Sequence, residues 1–406
     1  LVELTGDDLT RDEPTGEPAR HESPTFRARW SAPLAVGLAV LGVVVLVAAV
    51  SIWIGRSPGW AYDFRAYYDA ALRLIATGSP YQAETLGGPF RPGPFGLYLY
   101  SPPLAIFFMP LTWLGEQAAV MAWLGFRVGL IALTCAVMPV SRPIRLAAFG
   151  IAALSAPYLF DLNLGNVSLI VTFFAAITWR WLDRPIGSVA LAAALTLRPT
   201  MGIVCAWWLL RRQWRPVAWT AAAAAVIFLV TLPVVGLEGW FEYVTVLRNL
   251  SNVTGVLRNV DLGTSLMAFG VPAGAATLAL YGGYAIAIAA VLLSLRRDRE
   301  LSYVVTIMSS LLLAPLLWDH YLTMLLLPAA FLASRGRAWG LALPLLCWVP
   351  ALLAVWAPDM RAIAESPYAL IAILGVLVPF AARDPNDATV TLRKRAPSQA
   401  REPGPC

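Results

Sequence analysis

Pro33-Leu-Ala-Val-Gly-Leu-Ala-Val-Leu-Gly-Val-Val-Val-Leu-Val-Ala-Ala-Val-Ser-Ile-Trp-Ile54 decides the fold. No charged side chain interrupts this run. As a helix rising 1.5 Å per residue it reaches across the roughly 30 Å of hydrocarbon in a bilayer. It has no polar stripe, so no face of it is suited to water. It is too long for the apolar part of a secretory signal and is expected to stay in the chain as a helix that also directs insertion.

Further apolar runs lie at about 102–114, 117–139, 146–160, 167–182, 187–210, 216–236, 266–295, 302–317, 321–334, 339–357 and 367–381, making twelve with the first. Hydrophobic residues form 59% of the chain and charged residues 13%, against roughly 25% charged in a soluble domain. The expected fold class is therefore an all-α polytopic membrane protein, a bundle of about 12 transmembrane helices in a single domain, 33–381. The flanks, 1–32 and the basic 382–406, read as disordered cytoplasmic tails.

The net charge is +6, and Lys394 is the only lysine. Basic residues gather where apolar runs end, which is the pattern of cytoplasmic helix ends and not of a nucleic-acid surface. Arg211-Arg-Gln-Trp-Arg215, Arg296-Arg-Asp-Arg299, Arg335-Gly-Arg337 and Arg393-Lys-Arg395 fall on one side if the helices alternate after residue 210. The chain is thus expected in the plasma membrane with both termini cytoplasmic. Simple alternation before residue 210 puts Arg142–Arg145 and Arg180–Arg184 on the other side, against the rule. One short run is then re-entrant.

Two segments of different character would face outside. The first loop, 56–100, opens with Asp63-Phe-Arg-Ala-Tyr-Tyr-Asp-Ala-Ala-Leu-Arg-Leu-Ile75, whose helical spacing suits an amphipathic helix in the membrane interface; Gly87–Gly96 then forms a Gly/Pro/Phe-rich loop. The second loop, 237–265, carries Glu238, Glu242, Arg248, Arg258 and Asp261. Cys135, Cys205, Cys347 and Cys406 have no metal or disulfide spacing, and His21 and His320 are the only histidines. No Walker A, dinucleotide or GxSxG motif is present, so no cofactor is expected. A divalent metal on Asp63 and Glu84 stays open.

Asp63 stands just past the first helix, where a carboxylate can act as general base or simply cap the amphipathic helix. Pro102-Pro103 suits a helix start. Trp318-Asp319-His320-Tyr321 groups polar and aromatic side chains at a membrane edge, as an aromatic belt or as a phosphate or proton site. Arg198-Pro199 interrupts an apolar run, and a cation at that depth needs a partner: a phosphate, or Asp161 or Asp183 as an ion pair.

These features in this order resemble the GT-C-type glycosyltransferase family 87, the polyprenyl-phosphate-mannose-dependent α-mannosyltransferases of actinobacterial envelopes. Asp63-x-x-x-Tyr67, Gly78-Ser-Pro-Tyr81, Tyr100-Ser-Pro-Pro-Leu104 and Pro110-Leu111 match the early motifs. Gly165-Asn166 stands for a Gly-Gln pair, Arg198-Pro199 for Lys-Pro, Gly263-Thr-Ser-Leu266 for Asn-Gln-Ser-Leu, and Ala314-Pro-Leu-Leu-Trp-Asp-His320 for Ser-Pro-x-Ser-Trp-x-His. The resemblance covers about 34–381 and implies a GT-C-like bundle. It also implies transfer of a hexose, expected to be mannose, from a polyprenyl-phosphate donor to an envelope glycolipid or glycan on the outer face, with inversion and with Asp63 as base. His320, Arg258, Arg198, Tyr67, Tyr100, Asp319 and Arg248 are the expected substrate contacts. A transporter or lipid flippase is the competing reading; it would gather its polar groups near the bilayer midplane.

Overall fold

The computed structural model describes residues 32–378 except 55, 58, 89–95, 251–258 and 357–359, with residues 354–366 as backbone only. The expected tails, apart from Ala32, and Arg258 lie outside the described residues, as does most of the Gly87–Gly96 loop. Every regular element among the described residues is helical.

Helix α1 (Ala32–Trp53) is the quoted run. Val40, Val44, Val47 and Ile52 on it are each more than half exposed. Water would penalise so much apolar surface at about 25 cal/mol per Å², whereas lipid does not. α2 (Tyr62–Thr77) is the expected amphipathic helix, with Phe64, Tyr67, Tyr68, Ala71 and Leu74 buried and Leu72 and Ile75 turned outward. A short α3 (Ala83–Leu86) follows.

The path after α3 settles the conflict between charge and alternation. α4 (Pro102–Phe108) continues as a 3-10 segment, Met109–Leu114. It begins where Tyr100 meets Tyr67. It ends where the Tyr68 hydroxyl donates to Thr112 O, 3.4 Å, and Arg65 pairs with Glu116, 2.8 Å. Both ends lie against α2, so the expected pass at 102–114 is corrected: the segment returns to the face it left. About a dozen residues of mixed helix, with Pro110 inside them, are too short to cross.

α5 (Glu116–Val137) then leaves the α2 face. α6 (Arg142–Leu154) and α7 (Ala156–Leu164) return, bent by 61° between them. Pro157 lacks the N–H that a continuous helix would use and forces the break. The Ala61 N–H donates to Asn163 O, 2.8 Å, which locks the end of α7 to the start of α2. α8 (Ser168–Arg180) descends again.

α9 (Pro185–Leu197), the 3-10 segment Pro199–Gly202 and α10 (Ile203–Leu210) form a hairpin with Arg198-Pro199 at its tip. Its two feet stand side by side. Arg299 donates both to Leu182 O, 3.0 Å, and to Gln213 Oε1, 3.1 Å, and Arg211 donates to Leu295 O, 3.0 Å. The run 187–210, expected as one pass, therefore enters and leaves by the same face. Proline disfavours helix at the residue before it, which places the turn at Arg198.

α11 (Trp214–Leu250) climbs to Gly236, whose φ of 63° breaks the helix, and continues across the α2 face. There Ser79 donates to Glu242, 2.6 Å, and Asn249 to Thr85 O, 3.0 Å. Residues 237–250, expected as loop, are helical, because this segment packs on α3, α4 and the turn after α2 instead of facing open solvent. α12 (Leu262–Ala268) is capped by Asp261, and α13 (Ala273–Ser294) descends. α14 (Arg299–Leu312) rises. A 3-10 segment, Asp319–Leu325, and α15 (Leu326–Ser334) descend. The 3-10 segment Ala338–Ala342, α16 (Leu343–Leu346) and α17 (Trp348–Trp356) rise once more. α18 (Met360–Leu377) comes back, and Arg337 donates to Gly375 O, 2.6 Å.

The arginine clusters among the described residues, 142–145, 180–184, 211–215, 296–299 and 335–337, thus lie on the face opposite α2. Among the described residues four helices are long and apolar enough to cross a membrane alone, α1, α5, α11 and α13, and the bent α6–α7 pair makes a fifth. The expected count of about twelve is not confirmed, and two of the runs counted toward it turn back. Buried α8, α14 and α15 form the centre of the bundle, and the fully buried ion pair Arg127–Asp161 joins α5 to α7 beside α8.

Candidate active site

Asp63 is the second residue of α2. The cap position belongs to Ala61, which holds φ 57° and makes no side-chain cap bond. The capping reading of Asp63 is therefore set aside. A non-glycine residue in the left-handed region costs on the order of 1 kcal/mol. Here the Ala61–Asn163 bond holds it there and turns Asp63 toward the end of α7.

Gly165 ends α7 with φ 78°, and a Cβ on it would stand 2.6 Å from the Cβ of Phe64. Only glycine lets α7 touch α2 this closely, and the contact delivers Asn166 to Asp63. Asn166 Nδ2 donates to Asp63 Oδ2, 2.8 Å. Its Oδ1 accepts from the Ser168 backbone N–H, 2.9 Å, and the Ser168 hydroxyl, 2.8 Å. The backbone N–H can only donate, so the orientation of the amide is fixed. Gly165→Ala meets both the dihedral and the contact penalty. It is expected to abolish transfer and lower the thermal midpoint of the purified protein, whereas Gly125→Ala, in open space on α5, leaves both unchanged.

The network closes into a ring. Asn166 Nδ2 also reaches the Tyr100 hydroxyl, 3.4 Å, and Tyr67 donates to that hydroxyl, 3.3 Å. Tyr321 interacts through its hydroxyl with Tyr100 and Arg198. The Arg198 guanidinium lies 3.6 Å from the centre of the Tyr321 ring, and it donates to Ser168 Oγ, 3.2 Å. Asp161 and Asp183, the ion-pair partners considered for Arg198, are engaged elsewhere, with Arg127 and Arg299. Among the described residues no carboxylate lies within salt-bridge distance of Arg198, although it is 6% exposed. A buried cation of this kind suits an anionic ligand.

His320 is buried beside the ring. Its imidazole packs on Tyr321 at 5.0 Å and Trp318 at 5.6 Å, and its Nε2 has no hydrogen-bond partner. An orphaned buried nitrogen of this type is usually kept for a ligand or water. Asp319 is half-buried on the same 3-10 segment, and Arg248 is exposed on α11. No group of three His, Cys, Asp or Glu residues with metal-binding geometry occurs among the described residues. Asn166, Ser168 and Tyr321 complete the site although sequence reasoning did not select them. Their signals were the Gly165-Asn166 pair and the tyrosine closing Trp318–Tyr321.

Burial raises the Asp63 carboxyl to about 7; the Asn166 bond and Arg127 pull it down, while Asp161 pushes it up. Its Oδ1 makes no hydrogen bond within the ring and lies beside Gly96, where a Cβ would come within 3.6 Å. The free oxygen is placed to accept a proton near neutral pH. Asn166→Ala removes a bond that favours the charged carboxylate. It is expected to move the acid limb of the activity–pH profile upward by about one to two units, so that activity lost at pH 7 returns at pH 9.

The model of glycosyltransferase family 87 matches residues 98–318. The match takes in Tyr100, Asn166, Ser168 and Arg198 and leaves Asp63, His320 and Tyr321 outside it. No curated protein and no solved structure matches the chain. More than half of the chain fits the family model, so this membrane protein belongs to glycosyltransferase family 87.

Proposed function

We propose that the chain transfers mannose from a polyprenyl-phosphate donor to a hydroxyl of an envelope glycolipid or glycan, with inversion, and that Asp63 is the general base. The observation that carries this reading is one carboxylate raised to about 7 by burial and held by Asn166, in the same ring as a buried arginine that pairs with no carboxylate among the described residues. In the reaction the acceptor oxygen attacks the anomeric carbon as its proton passes to Asp63 Oδ1. The bond from that carbon to the lipid phosphate breaks, and the phosphate leaves with the electron pair on the opposite face of the sugar.

Arg198 balances the charge that develops on the leaving phosphate, as preorganised donors do in other transfer sites. His320 Nε2 contacts the sugar or the phosphate. Tyr67 and Tyr100 set the wall on the Asp63 side. The arginine-rich face is cytoplasmic by the positive-inside rule, which turns the ring outward, both termini inward and the protein into the plasma membrane. The grouping of the ring at the α2 face, away from the midplane, favours a transferase over a flippase.

The test uses membranes containing the protein, supplied with labelled polyprenyl-phosphate mannose. The expected product is a mannosylated lipid or glycan whose anomeric configuration is opposite to that of the donor. Transfer only from a nucleotide sugar, or retention of configuration, overturns the proposal. Donor lipid crossing the bilayer with no glycosidic bond formed supports the flippase instead.

A further inference from the structure

On the face opposite the ring, two cavities meet at Arg145. The larger, about 700 Å³, is bounded by the start of α6 and the ends of α8 and α15, and Arg145, Arg180 and Arg184 line it. The smaller, about 460 Å³, lies between α1, α5 and α6 and is walled by Ala39, Ala132, Cys135 and Phe149, with Arg142 and Arg145 at its mouth. One cavity is cationic, the other apolar, and one side chain borders both.

The cationic side lacks its own anion. Arg145 and Arg180 are close enough to repel, yet among the described residues no carboxylate pairs with Arg142, Arg145, Arg180 or Arg184. The neighbouring acid, Asp183, pairs with Arg299. Arg145 Nε is buried without a hydrogen-bond partner. Arg180 is held in place by a bond to Val137 O, 3.2 Å, and by the Trp181 ring beneath it. The start of α6, Ser141, Ile144 and Arg145, lines the same cavity, and Ser141 makes no side-chain cap there; the positive end of a helix favours an anion.

We propose that this pair of cavities binds one anionic phospholipid from the leaflet at the arginine face. Its phosphodiester sits on Arg145, Arg180 and Arg184 at the start of α6, and one acyl chain lies in the groove between α1, α5 and α6. Phosphatidylcholine carries the same phosphodiester, but its choline ammonium brings positive charge to a site already cationic, so a headgroup with net negative charge is favoured. Free phosphate fits the polar cavity alone and leaves the apolar one unfilled.

The full chain in detergent micelles, titrated with dioleoylphosphatidylglycerol and followed by native mass spectrometry, tests this. The expected result is one retained lipid per chain, at least tenfold weaker retention by R145Q/R180Q, and several-fold weaker retention by A132L, which narrows the groove while keeping every arginine. Thermal midpoints without added lipid show whether each variant is folded, and R180Q alone, altering an exposed side chain, serves if the double variant is not. Retention of dioleoylphosphatidylcholine equal to that of phosphatidylglycerol overturns the proposal. So does unchanged retention by the arginine variants. Displacement of the lipid by millimolar inorganic phosphate, or indifference to A132L, overturns the lipid in favour of a phosphate site.

Discussion

Asp63→Asn is expected to lower sugar transfer by about 10²- to 10⁴-fold, the range that a positioned general base supplies, while the folded protein becomes more stable above pH 7. The two effects have one origin. Burial raises the Asp63 carboxyl from 3.8 to about 7, so the folded chain holds its proton more tightly than the unfolded chain does. Between these values the unfolded state binds fewer protons, and stability falls as pH rises through the folded pKa. Above pH 7 the ionised carboxylate carries the full penalty, at most about 4 kcal/mol. An asparagine there never ionises and escapes it. Thermal midpoints of wild type and variant, measured from pH 4 to pH 9, should separate progressively above pH 4 with the variant higher. Equal midpoints across that range would show that the carboxylate is not desolvated, and transfer by the variant at the wild-type rate would remove it from the base role.

The second large effect lies one layer deeper. Arg127 and Asp161 pair with both side chains fully buried, and Arg127 also donates to Leu162 O, 3.1 Å. Asp161→Ala leaves an unpaired guanidinium in the bundle and is expected to cost about 3–5 kcal/mol. The double variant R127L/D161L should recover most of that loss, because two apolar side chains need no partner. The pair also acts on the site. Asp161 raises the Asp63 carboxyl more than Arg127 lowers it, so the double variant is expected to shift the acid limb of transfer to lower pH. A double variant as unstable as the single one would mean that the pair holds the bend between α6 and α7 through more than its charges.

Much of the fold was legible because its signals are local. The length and uniformity of Pro33–Ile54 identify a membrane helix without any neighbour being consulted. The spacing in Asp63–Ile75 gave the amphipathic helix, and Tyr67, Tyr100, Arg198 and His320 could be selected as polar groups at the edges of apolar runs. The two turning segments were less legible. The run 102–114 is as apolar as a crossing helix, and only its two ends, both fastened to α2, show that it returns. The run 187–210 has the length of a span, and only Arg299, joining Leu182 to Gln213, shows that its feet are neighbours. The charge rule had flagged this region correctly, since arginine position reports the face directly whereas counting runs assumes that each one crosses.

The sequence by itself therefore determined that the chain lives in lipid, that an acidic residue stands at the exit of its first helix and that the arginine clusters after residue 210 share a face, since each follows from composition and spacing along the chain. Only the tertiary structure decided which polar groups meet. Asn166 is far from Asp63 in sequence and touches it because Gly165 admits Phe64 at van der Waals range; Arg198 enters the same ring because the α9–α10 hairpin lifts it there. Those encounters depend on close packing between distant segments, a property that no single stretch of residues carries.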